Sequence, residues 1–307
     1  MRPARVLRTE APAKVNLLLR VLAREESGYH QIETVFALLS LADSVRLEVD
    51  PSGEPGVALD VEGAAGGPAP DLGPAADNLV LRAAEAWAAA AGVRGAWRFR
   101  LLKRVPAGAG LGGGSSDAAA ALRLLQAAYG EPLDDETLLA IGGALGADVP
   151  FFVSGAAWAL AWGRGDRLHP LAGTPPFHAV LALPPRHIGT AGAYRALAAR
   201  RGGRPAGPAL LRAQDLTSPE RLCALVANDF EGAVFDLAPE LALLRNALLD
   251  AGAAAAALSG SGAALFGLFH DAATAGEAAT ALADVHPEVR FETVGFRTAA
   301  PEVIEAT

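Results

Sequence analysis

The order of polar and apolar positions near the start of the chain predicts β-strands. Within residues 13–22 the polar side chains fall on alternate positions of an otherwise apolar segment, as in a strand with one buried face. Residues 31–41 form a longer apolar run, and residues 43–50 alternate regularly between the two types. We therefore expect three successive strands, with a turn at residues 28–30 between the first two.

Helical and strand patterns are mixed in the rest of the chain. An Ala-rich segment at 79–91 begins after Asn78 and is stopped by Gly92, which favours a helix there. Further helices are predicted at residues 117–128, 133–145, 219–225, 240–251 and 275–283. Strands are predicted at residues 57–61 (an edge strand), 97–103, 151–153, 156–162, 178–183 and 289–296, with two more inside 255–269. Because this order has no regular β-α-β period, it predicts an α+β fold rather than a doubly wound parallel sheet.

Length and charge restrict the function. The chain has 307 residues, enough for two domains, and we predict a division into domains 1–165 and 166–307. The net charge of −8 argues against a general nucleic-acid-binding protein, which is usually basic. The charge does not exclude an anionic small-molecule ligand, because a local site can be positive on an acidic protein.

Cysteine content and hydropathy favour a cytoplasmic protein. Cys223 is the single cysteine, so no internal disulfide can form, and its apolar neighbours indicate a core residue rather than a nucleophile. The N-terminal segment lacks the apolar core of a signal peptide, and no unbroken apolar run reaches the roughly 18 residues of a membrane span. The histidines show no metal-ligand spacing. We expect no membrane contact and no metal site built from side chains.

Residues 106–116, PAGAGLGGGSS, form a segment that we call the glycine-rich loop. A flexible linker is one interpretation, but strand and helix signals flank the segment, and Ser115, Ser116 and Asp117 are typical N-cap residues. A dinucleotide-binding fingerprint is the second interpretation, because the spacing of its glycines matches G-x-G-x-x-G. That motif requires an acidic residue about twenty positions later, at the end of a strand, where this chain has a loop.

A phosphate-binding loop at a helix N-terminus is the third interpretation of this segment. Glycines allow several backbone N–H groups to point at one place, and the helix end adds partial positive charge. Ser115 and Ser116 could bind phosphate oxygens or hold Mg²⁺. No G-K-[ST] closes the segment, so it is not a Walker A loop.

Residues 103–119 closely resemble the phosphate loop of the GHMP kinases, the superfamily of galactokinase, homoserine kinase, mevalonate kinase and phosphomevalonate kinase. Residues 11–17 with 28–30, residues 145–152 and the SGSG of residues 259–262 extend the resemblance over nearly the whole chain. It implies a two-domain α+β fold, with an N-terminal domain like the second domain of ribosomal protein S5, a C-terminal ferredoxin-like α/β plait, and the active site between them.

Within the superfamily, the resemblance is to the branch that phosphorylates the 2-hydroxyl of 4-diphosphocytidyl-2-C-methyl-D-erythritol in the non-mevalonate isoprenoid pathway. It implies ATP and Mg²⁺ as cofactors and a small-molecule acceptor, with the chain a monomer or a homodimer. Another GHMP kinase, for homoserine or mevalonate, is the alternative enzyme. A nucleotide-binding regulator without catalysis is the alternative from another class, and intact Lys14 and Asp148 argue against it.

The resemblance also implies a role for individual residues. Lys14 and Asp148 would be catalytic, the carboxylate accepting the proton of the acceptor hydroxyl and the lysine stabilising charge. From the residues alone, Asp148 could equally be a helix cap and Lys14 an edge-strand lysine. The residues implied to bind ATP are Pro106, Ala107, Gly108, Ala109, Gly110, Leu111, Gly112, Gly113, Gly114, Ser115 and Ser116.

Other residues are expected at the two ends of the site. Asn78 and Lys103 would make outer contacts to the nucleotide, although an N-cap and a solvated strand-end charge are equally good interpretations. Tyr29 and Tyr194 would stack on the two faces of the cytosine ring, and His30 would hydrogen-bond its edge. The residues expected to hold the methylerythritol diphosphate are Asn16 and Thr190.

Overall fold

The computed structural model describes residues 5–25, 28, 30–64, 67–172, 177–202, 204, 206–207, 209, 211–216 and 218–306. Its strands are β1 (Arg5–Arg24), β2 (His30–Asp50), β3 (Gly56–Gly63), β4 (Ala96–Lys103), β5 (Trp158–Gly163), β6 (Arg167–Pro170), β7 (His178–Leu183), β8 (Ala227–Asn228), β9 (Ala255–Leu258), β10 (Leu265–Phe269), β11 (Arg290–Gly295) and β12 (Ile304–Glu305). Its α-helices are α1 (Leu79–Ala91), α2 (Gly113–Tyr129), α3 (Asp135–Leu145), α4 (Val149–Val153), α5 (Thr190–Arg201), α6 (Pro219–Leu225), α7 (Glu231–Leu237), α8 (Pro239–Asp250) and α9 (Ala272–Val285).

The strands form two separate sheets, so the predicted α+β class is confirmed. The larger sheet has the order β12-β1-β2-β4-β3, with β5 paired to β2, β6 to β5 and β8 to β1. The smaller sheet has the order β11-β7-β10-β9 and is antiparallel throughout. Because β6, β8 and β12 belong to the larger sheet, the chain passes between the sheets more than once, and the division at residue 165 stays a prediction.

The larger sheet is built on the long antiparallel pair of β1 and β2. The sequence predicted two strands over residues 31–50, whereas β2 is continuous, because β1 and then β4 and β5 supply partners along its whole length. The pairing of β1 with β2 shifts register between Pro12 and Lys14 and again between Asn16 and Leu18. Bulges of this kind re-aim side chains and are frequent beside active sites.

Helix α2 packs on this sheet with a face of small residues. Residues 118–121 are alanines and are buried, so the helix axis can approach the strands closely. The prediction that α2 starts near 117 was wrong: it begins at Gly113, and Gly112 at the N-cap makes no side-chain capping bond. Ser115, Ser116 and Asp117 therefore lie inside the first turns and do not cap the helix.

One further prediction about the elements was wrong, and one helix beside the site was not predicted. Residues 151–153 belong to the short helix α4 and not to a strand, because Pro150 stands in the first helical turn, where its fixed φ is favourable. Helix α5, over Thr190–Arg201, was not predicted as such and has no side-chain N-cap at Gly189. The ends of α1 and the bounds of β7 and α6 agree with the predictions.

The smaller sheet carries its own core. Helices α8 and α9 pack against its strands, with Leu241, Leu248 and Leu282 buried between the layers. Among the described residues, no helix combines the length and the apolar character needed to span a bilayer.

Candidate active site

A cavity of about 900 Å³ lies where the two sheets meet. Its lining combines β1, the glycine-rich loop, the turn before α4, the start of α5, and residues 260–261. The predicted site residues that reach it are Lys14, Asn16, His30, Gly110, Gly112, Ser115, Asp148, Thr190 and Tyr194. Residues far apart in the sequence therefore face one space.

Lys14 is buried at the base of the cavity, between the two register shifts of β1. Its Nζ donates to Asn16 Oδ1 at 2.7 Å and to the Gly110 carbonyl oxygen at 3.0 Å. The same Nζ lies 3.4 Å from Asp148 Oδ2. One ammonium group thus connects β1, the glycine-rich loop and the predicted base.

The carboxylate of Asp148 is open to the cavity. Its side chain is 31% exposed, whereas that of Lys14 is 3% exposed. Asp148 stands at the start of α4 but makes no side-chain capping bond, so the structure does not support the alternative that it is a helix cap. An ionised carboxylate accepts hydrogen bonds only, and this one has a free approach from the cavity.

Asn16 is oriented by a residue that the sequence analysis did not single out. Asn16 Nδ2 donates to Thr34 Oγ1 at 2.7 Å, and Thr34 Oγ1 donates to the Leu18 carbonyl at 2.7 Å. All three groups are buried. The chain of bonds leaves Asn16 Oδ1 as the acceptor for Lys14, which holds the ammonium in place.

The glycines of the loop are required by close approach to protein as well as by backbone shape. Gly108, Gly110 and Gly112 have positive φ values of 67°, 83° and 72°. A Cβ at Gly110 would lie 2.1 Å from the Ser259 carbonyl oxygen, and one at Gly112 would lie 3.0 Å from Lys14 Cγ. No side chain fits at either position without displacing its neighbour.

Backbone hydrogen bonds hold the loop on both sides. Lys14 N donates to the Leu111 carbonyl at 2.9 Å, and Ala264 N donates to the Ala109 carbonyl at 3.1 Å. Ser259 Oγ donates to the Gly110 carbonyl at 3.0 Å. The linker interpretation is therefore wrong, since the loop is fixed between β1 and residues 259–262, which we call the 259–262 loop.

The two serines of the glycine-rich loop point to different places. Ser115 lines the cavity, whereas Ser116 is buried and its Oγ has no hydrogen-bond partner among the described residues. Ser116 N donates to the Gly112 carbonyl at 2.9 Å, within the helix. The structure therefore gives Ser115, and not the Ser116 side chain, access to a phosphate.

Lys103 lies behind the loop and outside the cavity, so a solvated strand-end charge is the wrong interpretation. Its Nζ contacts Asp117 Oδ2 at 2.8 Å and also forms an ion pair with Asp43, and all three side chains are buried. Burial alone would lower the pKa of Lys103, but Asp117 and Asp43 outweigh it and raise the pKa. We call these three residues the buried ion cluster; its position gives no support to a nucleotide contact by Lys103.

Asn78 caps α1, as one interpretation of the sequence had it. Its Oδ1 accepts from Val80 N at 2.9 Å. The start of α1 lies next to the loop, since a Cβ at Gly114 would be 3.9 Å from Leu79 Cδ1. The cap uses the side-chain oxygen alone, so a nucleotide contact by the Nδ2 group stays a prediction.

Aromatic residues form the far wall of the cavity. The rings of His30 and Tyr194 stack with centroids 4.2 Å apart and planes inclined by 20°, and Tyr194 meets Phe230 edge-on at 4.8 Å. Burial, with a smaller contribution from Asp148, raises the pKa of Tyr194 to about 12. Burial and the nearby Arg24 lower the pKa of His30. Both rings are therefore neutral near pH 7. Tyr29 lies outside the described residues.

Thr190 connects the start of α5 to the 259–262 loop. It is the first residue of α5, and its Oγ1 lies 3.1 Å from Ser261 Oγ. The start of α5 and the 259–262 loop therefore form one wall. The polar atoms of that wall face the cavity that Lys14 and Asp148 also line.

The charge of the cavity is opposite to that of the whole chain. Among the described residues, those that line it include Lys14, Arg24, Arg164 and Arg195, together with the carboxylate of Asp148. Arg164 forms an ion pair with Glu25 at 3.3 Å. The sequence analysis missed the three arginines, because exposed arginines are common and their convergence depends on the fold. A cationic cavity in a protein of net charge −8 attracts anionic ligands.

The start of α2 and the cavity wall suit a bound triphosphate better than a metal ion coordinated by side chains alone. The first N–H groups of α2 have no partners in the helix, and the helix end is positive, as phosphate requires. Within the part of the chain that the structure describes, no three His, Cys, Asp or Glu side chains are grouped to hold a metal ion. Ser115 Oγ, a hard oxygen donor on the wall at the start of α2, could complete the shell of a phosphate-bound Mg²⁺.

Comparisons with known proteins identify the family of the chain. The model of the GHMP kinases N-terminal domain matches residues 78–156, and that of the GHMP kinases C-terminal domain matches residues 208–288. The chain is 42% identical over 265 residues to a protein of Solibacter usitatus named 4-diphosphocytidyl-2-C-methyl-D-erythritol kinase, covering 85% of this chain and 80% of the relative. It is 40% identical over 275 residues to the protein of the same name from Pelotomaculum thermopropionicum, covering 89% and 93%.

Solved structures give the same result for the fold. A crystal structure of 4-(cytidine 5′-diphospho)-2C-methyl-D-erythritol kinase matches with a TM-score of 0.77 and 40% identity, over 94% of this chain and 98% of the other. Homoserine kinase from Cytophaga hutchinsonii matches with a TM-score of 0.72 and 20% identity, over 99% and 98%. The crystal structure of L. major mevalonate kinase in complex with R-mevalonate matches with a TM-score of 0.70 and 18% identity, over 97% of this chain and 96% of the other. The last two likenesses concern the fold alone.

Proposed function

The chain belongs to the 4-diphosphocytidyl-2-C-methyl-D-erythritol kinases, a branch of the GHMP kinases, and from this we propose that it transfers the γ-phosphoryl group of ATP to the 2-hydroxyl of that alcohol. It is therefore a phosphotransferase of the non-mevalonate isoprenoid pathway. Homoserine and mevalonate kinases share the fold at 20% identity or less, whereas relatives at about 40% identity carry the name of this branch.

One observation carries the catalytic part of the proposal: Lys14 Nζ lies 3.0 Å from the Gly110 carbonyl and 3.4 Å from Asp148 Oδ2. A carboxylate, an ammonium group and the glycine-rich loop therefore meet at one point of the cavity, which supports Asp148 as the base. Phosphoryl transfer to an alcohol needs a positioned nucleotide, neutralised charge and a group that accepts the hydroxyl proton. The three elements supply one requirement each.

The reaction follows from these positions. Asp148 accepts the proton of the acceptor hydroxyl, and the oxygen attacks the γ-phosphorus. The bond from the γ-phosphorus to the β–γ bridging oxygen breaks, and ADP leaves with that oxygen. Lys14 faces the oxygens on which negative charge develops, in a buried position where its interaction with them is strong. Among the described hydroxyl groups of the cavity wall, Thr190 and Ser261 contact each other rather than a basic side chain, and we propose direct transfer.

The nucleotide end of the site rests on backbone groups. The first N–H groups of α2 have no acceptor within the helix, and Ser115 in this first turn lines the cavity, so these groups would hold the triphosphate. Mg²⁺, when bound to the phosphates, supplies charge neutralisation. Ser115 Oγ would bind a phosphate oxygen or the metal. Asn78 caps α1 through Oδ1, and its Nδ2 would contact the nucleotide.

The acceptor end rests on side chains. We propose that Tyr194, with Tyr29, stacks on the cytosine ring while His30 binds its edge, which requires His30 to leave its present position on Tyr194. Asn16 and Thr190 would hold the methylerythritol. The diphosphate would lie toward Arg24, Arg164 and Arg195, whose guanidinium groups suit bidentate binding of phosphate. We propose that the enzyme acts in the cytoplasm, as a monomer or a homodimer.

Turnover of three acceptors tests the proposed function. Purified protein with Mg²⁺ and ATP is given 4-diphosphocytidyl-2-C-methyl-D-erythritol, L-homoserine or mevalonate, and ADP release is measured together with the ³¹P NMR spectrum of the product. With the first acceptor we expect ADP release and a new phosphomonoester signal. After EDTA is added we expect neither. Comparable turnover of homoserine or mevalonate would overturn the proposal.

Variants of Tyr194 test the stacking. Tyr194→Ala is expected to raise KM for the cytidine-containing acceptor by about 10-fold or more, since base–aromatic stacking contributes roughly 1–3 kcal/mol. Tyr194→Phe keeps the ring and is expected to change KM little. KM for ATP stays nearly constant in both variants. An equal rise of both KM values in Tyr194→Ala would count against stacking.

A further inference from the structure

Asn228 occupies a buried position beside the active site. It lies in β8, a two-residue strand that pairs in parallel with β1, opposite Leu19. Its side chain is 6% exposed. It does not line the cavity, and neither the glycine-rich loop nor the acceptor wall includes it.

The side-chain amide of Asn228 binds the backbone of the 259–262 loop and of the residue before it. Nδ2 donates to the Leu258 carbonyl and to the Gly260 carbonyl, both at 2.8 Å, and Oδ1 accepts from Phe230 N at 2.9 Å. These bonds fix which side of the amide carries the nitrogen. The two donated bonds end on the backbone on either side of Ser259, at the last residue of β9 and at Gly260 in the 259–262 loop.

The 259–262 loop in turn meets the glycine-rich loop at Gly110. Ser259 Oγ donates to the Gly110 carbonyl at 3.0 Å, and the Ser259 carbonyl leaves no space for a Cβ there. The same Gly110 carbonyl accepts from Lys14 Nζ. A continuous series of contacts thus leads from Asn228 through Ser259 and Gly110 to the ammonium group beside Asp148.

We infer that Asn228 is a positioning residue for phosphoryl transfer, which holds the 259–262 loop so that Gly110 and Lys14 keep their places beside Asp148. The inference rests on the proposed function. Asn228 touches neither substrate and acts through backbone carbonyls alone. Small displacements at a phosphoryl-transfer site reduce the rate strongly, because catalysis depends on the alignment of the reacting groups.

The geometry also says which kinetic constant changes. Lys14 and Gly110 stand at the reacting centre. The acceptor wall of His30 and Tyr194 is carried by β2 and α5, and it meets the 259–262 loop at the Thr190–Ser261 contact of 3.1 Å. Loosening the 259–262 loop should therefore lower kcat more than it raises KM for the acceptor. Phe230, which follows two residues later, packs on Tyr194 and offers a contrast: its loss should act on the acceptor KM.

The experiment compares Asn228→Ala and Asn228→Ser with Leu282→Ala. Leu282 is buried in α9, which packs on β7, β10 and β11 of the smaller sheet. Its truncation destabilises the sheet whose strands β9 and β10 flank the 259–262 loop, without removing a polar contact to that loop. Steady-state kcat, both KM values and the thermal midpoint are measured. We expect kcat to fall at least 10-fold in both Asn228 variants, the acceptor KM to change less than 3-fold, and Leu282→Ala to retain nearly full kcat at a temperature where all variants are folded.

A double variant tests the route of the effect. If Asn228 acts through Ser259, then Asn228→Ala combined with Ser259→Ala lowers kcat little further than the more severe single variant. The inference would be overturned if the fold-reduction of kcat in the double variant equalled the product of the two single reductions. It would also be overturned if both Asn228 variants had the same kcat as Leu282→Ala.

The outcomes separate the inference from the proposed function. If the wild-type protein phosphorylates a different alcohol, the proposed function fails, and the same ratios of kcat measured with that alcohol still decide the role of Asn228. If Asn228→Ala does not fold, Asn228→Ser and Asn228→Asp supply the comparison. The Asp variant keeps the acceptor for Phe230 N and lacks the donors, so a kcat equal to wild type in it would also overturn the inference.

Discussion

The chain contains two lysines, Lys14 and Lys103, and both side chains are buried beside the glycine-rich loop. Each forms an ion pair with aspartate. Lys103 pairs with Asp43 and Asp117, whose side chains are 0% and 4% exposed, whereas Asp148, the partner of Lys14, is 31% exposed. The two lysines have the same chemistry and nearly the same burial, and they differ in whether the carboxylate can be reached.

That difference separates a structural ion pair from a chemical one. In the buried ion cluster, Asp43 also accepts from Val105 N at 2.8 Å and from Arg104 N, so it ties the entrance of the glycine-rich loop to the sheet. Its side chain is 0% exposed, so a substrate in the cavity cannot contact the carboxylate. At Lys14, the ammonium is held by Asn16 and Gly110, which leaves the open side of Asp148 for a substrate. Access to solvent, rather than the residue pair itself, indicates the function.

The largest effect is expected from Asp148→Asn. The amide cannot accept the hydroxyl proton as the carboxylate does, and loss of a general base lowers kcat by roughly 10²–10⁴-fold. ATP binding and the thermal midpoint should change little, because Asp148 is partly exposed and caps no helix. The matched control is Asp250→Asn, at the exposed end of α8. Retained kcat in Asp148→Asn would show that the open carboxylate is not the base.

Lys103→Met is expected to change stability instead. It leaves two buried carboxylates without their cation, and removing one partner of a buried ion pair costs about 3–5 kcal/mol. The free energy of unfolding is measured by urea denaturation. Lys103→Met combined with Asp117→Asn should recover part of the loss. A change in kcat at constant stability would contradict the assignment of Lys103 as structural.

The pH dependence of stability should identify the buried ion cluster. Burial raises the pKa of Asp117 from 3.8 to about 7, against the opposing effect of Lys103 and with a further rise from Asp43. The folded state therefore binds more protons than the unfolded state between about pH 4 and pH 7, so the free energy of unfolding falls as the pH rises through this interval. In Asp117→Asn this decline should be weaker. Urea denaturation at several pH values measures it, and an equal slope in both proteins would show that another group titrates.

The smallest effect is expected from Asn78, for which we predict both a structural role, as the cap of α1, and a contact to the nucleotide. Asn78→Ala removes the cap of α1 and should lower the free energy of unfolding by about 1 kcal/mol. Asn78→Asp keeps the capping oxygen and should not. If Nδ2 also binds the nucleotide, both variants show a several-fold rise in KM for ATP, and this is the result we expect. Unchanged KM in both would make Asn78 a helix cap only.

Local patterns in the sequence were sufficient for much of the fold. The bounds of α1, β7 and α6 could be predicted because Asn, Gly and Pro mark their ends and their apolar spacing is regular. The errors fall where tertiary contacts decide: β2 is continuous because it finds partners along its whole length, and residues 151–153 are helical because Pro150 starts a turn that buries two phenylalanines. Short apolar runs do not distinguish the two structures.

The sequence by itself determined the glycine-rich loop, Lys14 and Asp148, because their residue types and spacing carry the resemblance to the GHMP kinases. Only the tertiary structure decided that Lys103 is enclosed with two carboxylates while Lys14 faces a cavity, that Ser115 and not Ser116 is accessible, and that Asn228 holds the 259–262 loop. The physical reason is that burial and charge pairing depend on neighbours brought from distant positions, and one residue type behaves differently in each environment.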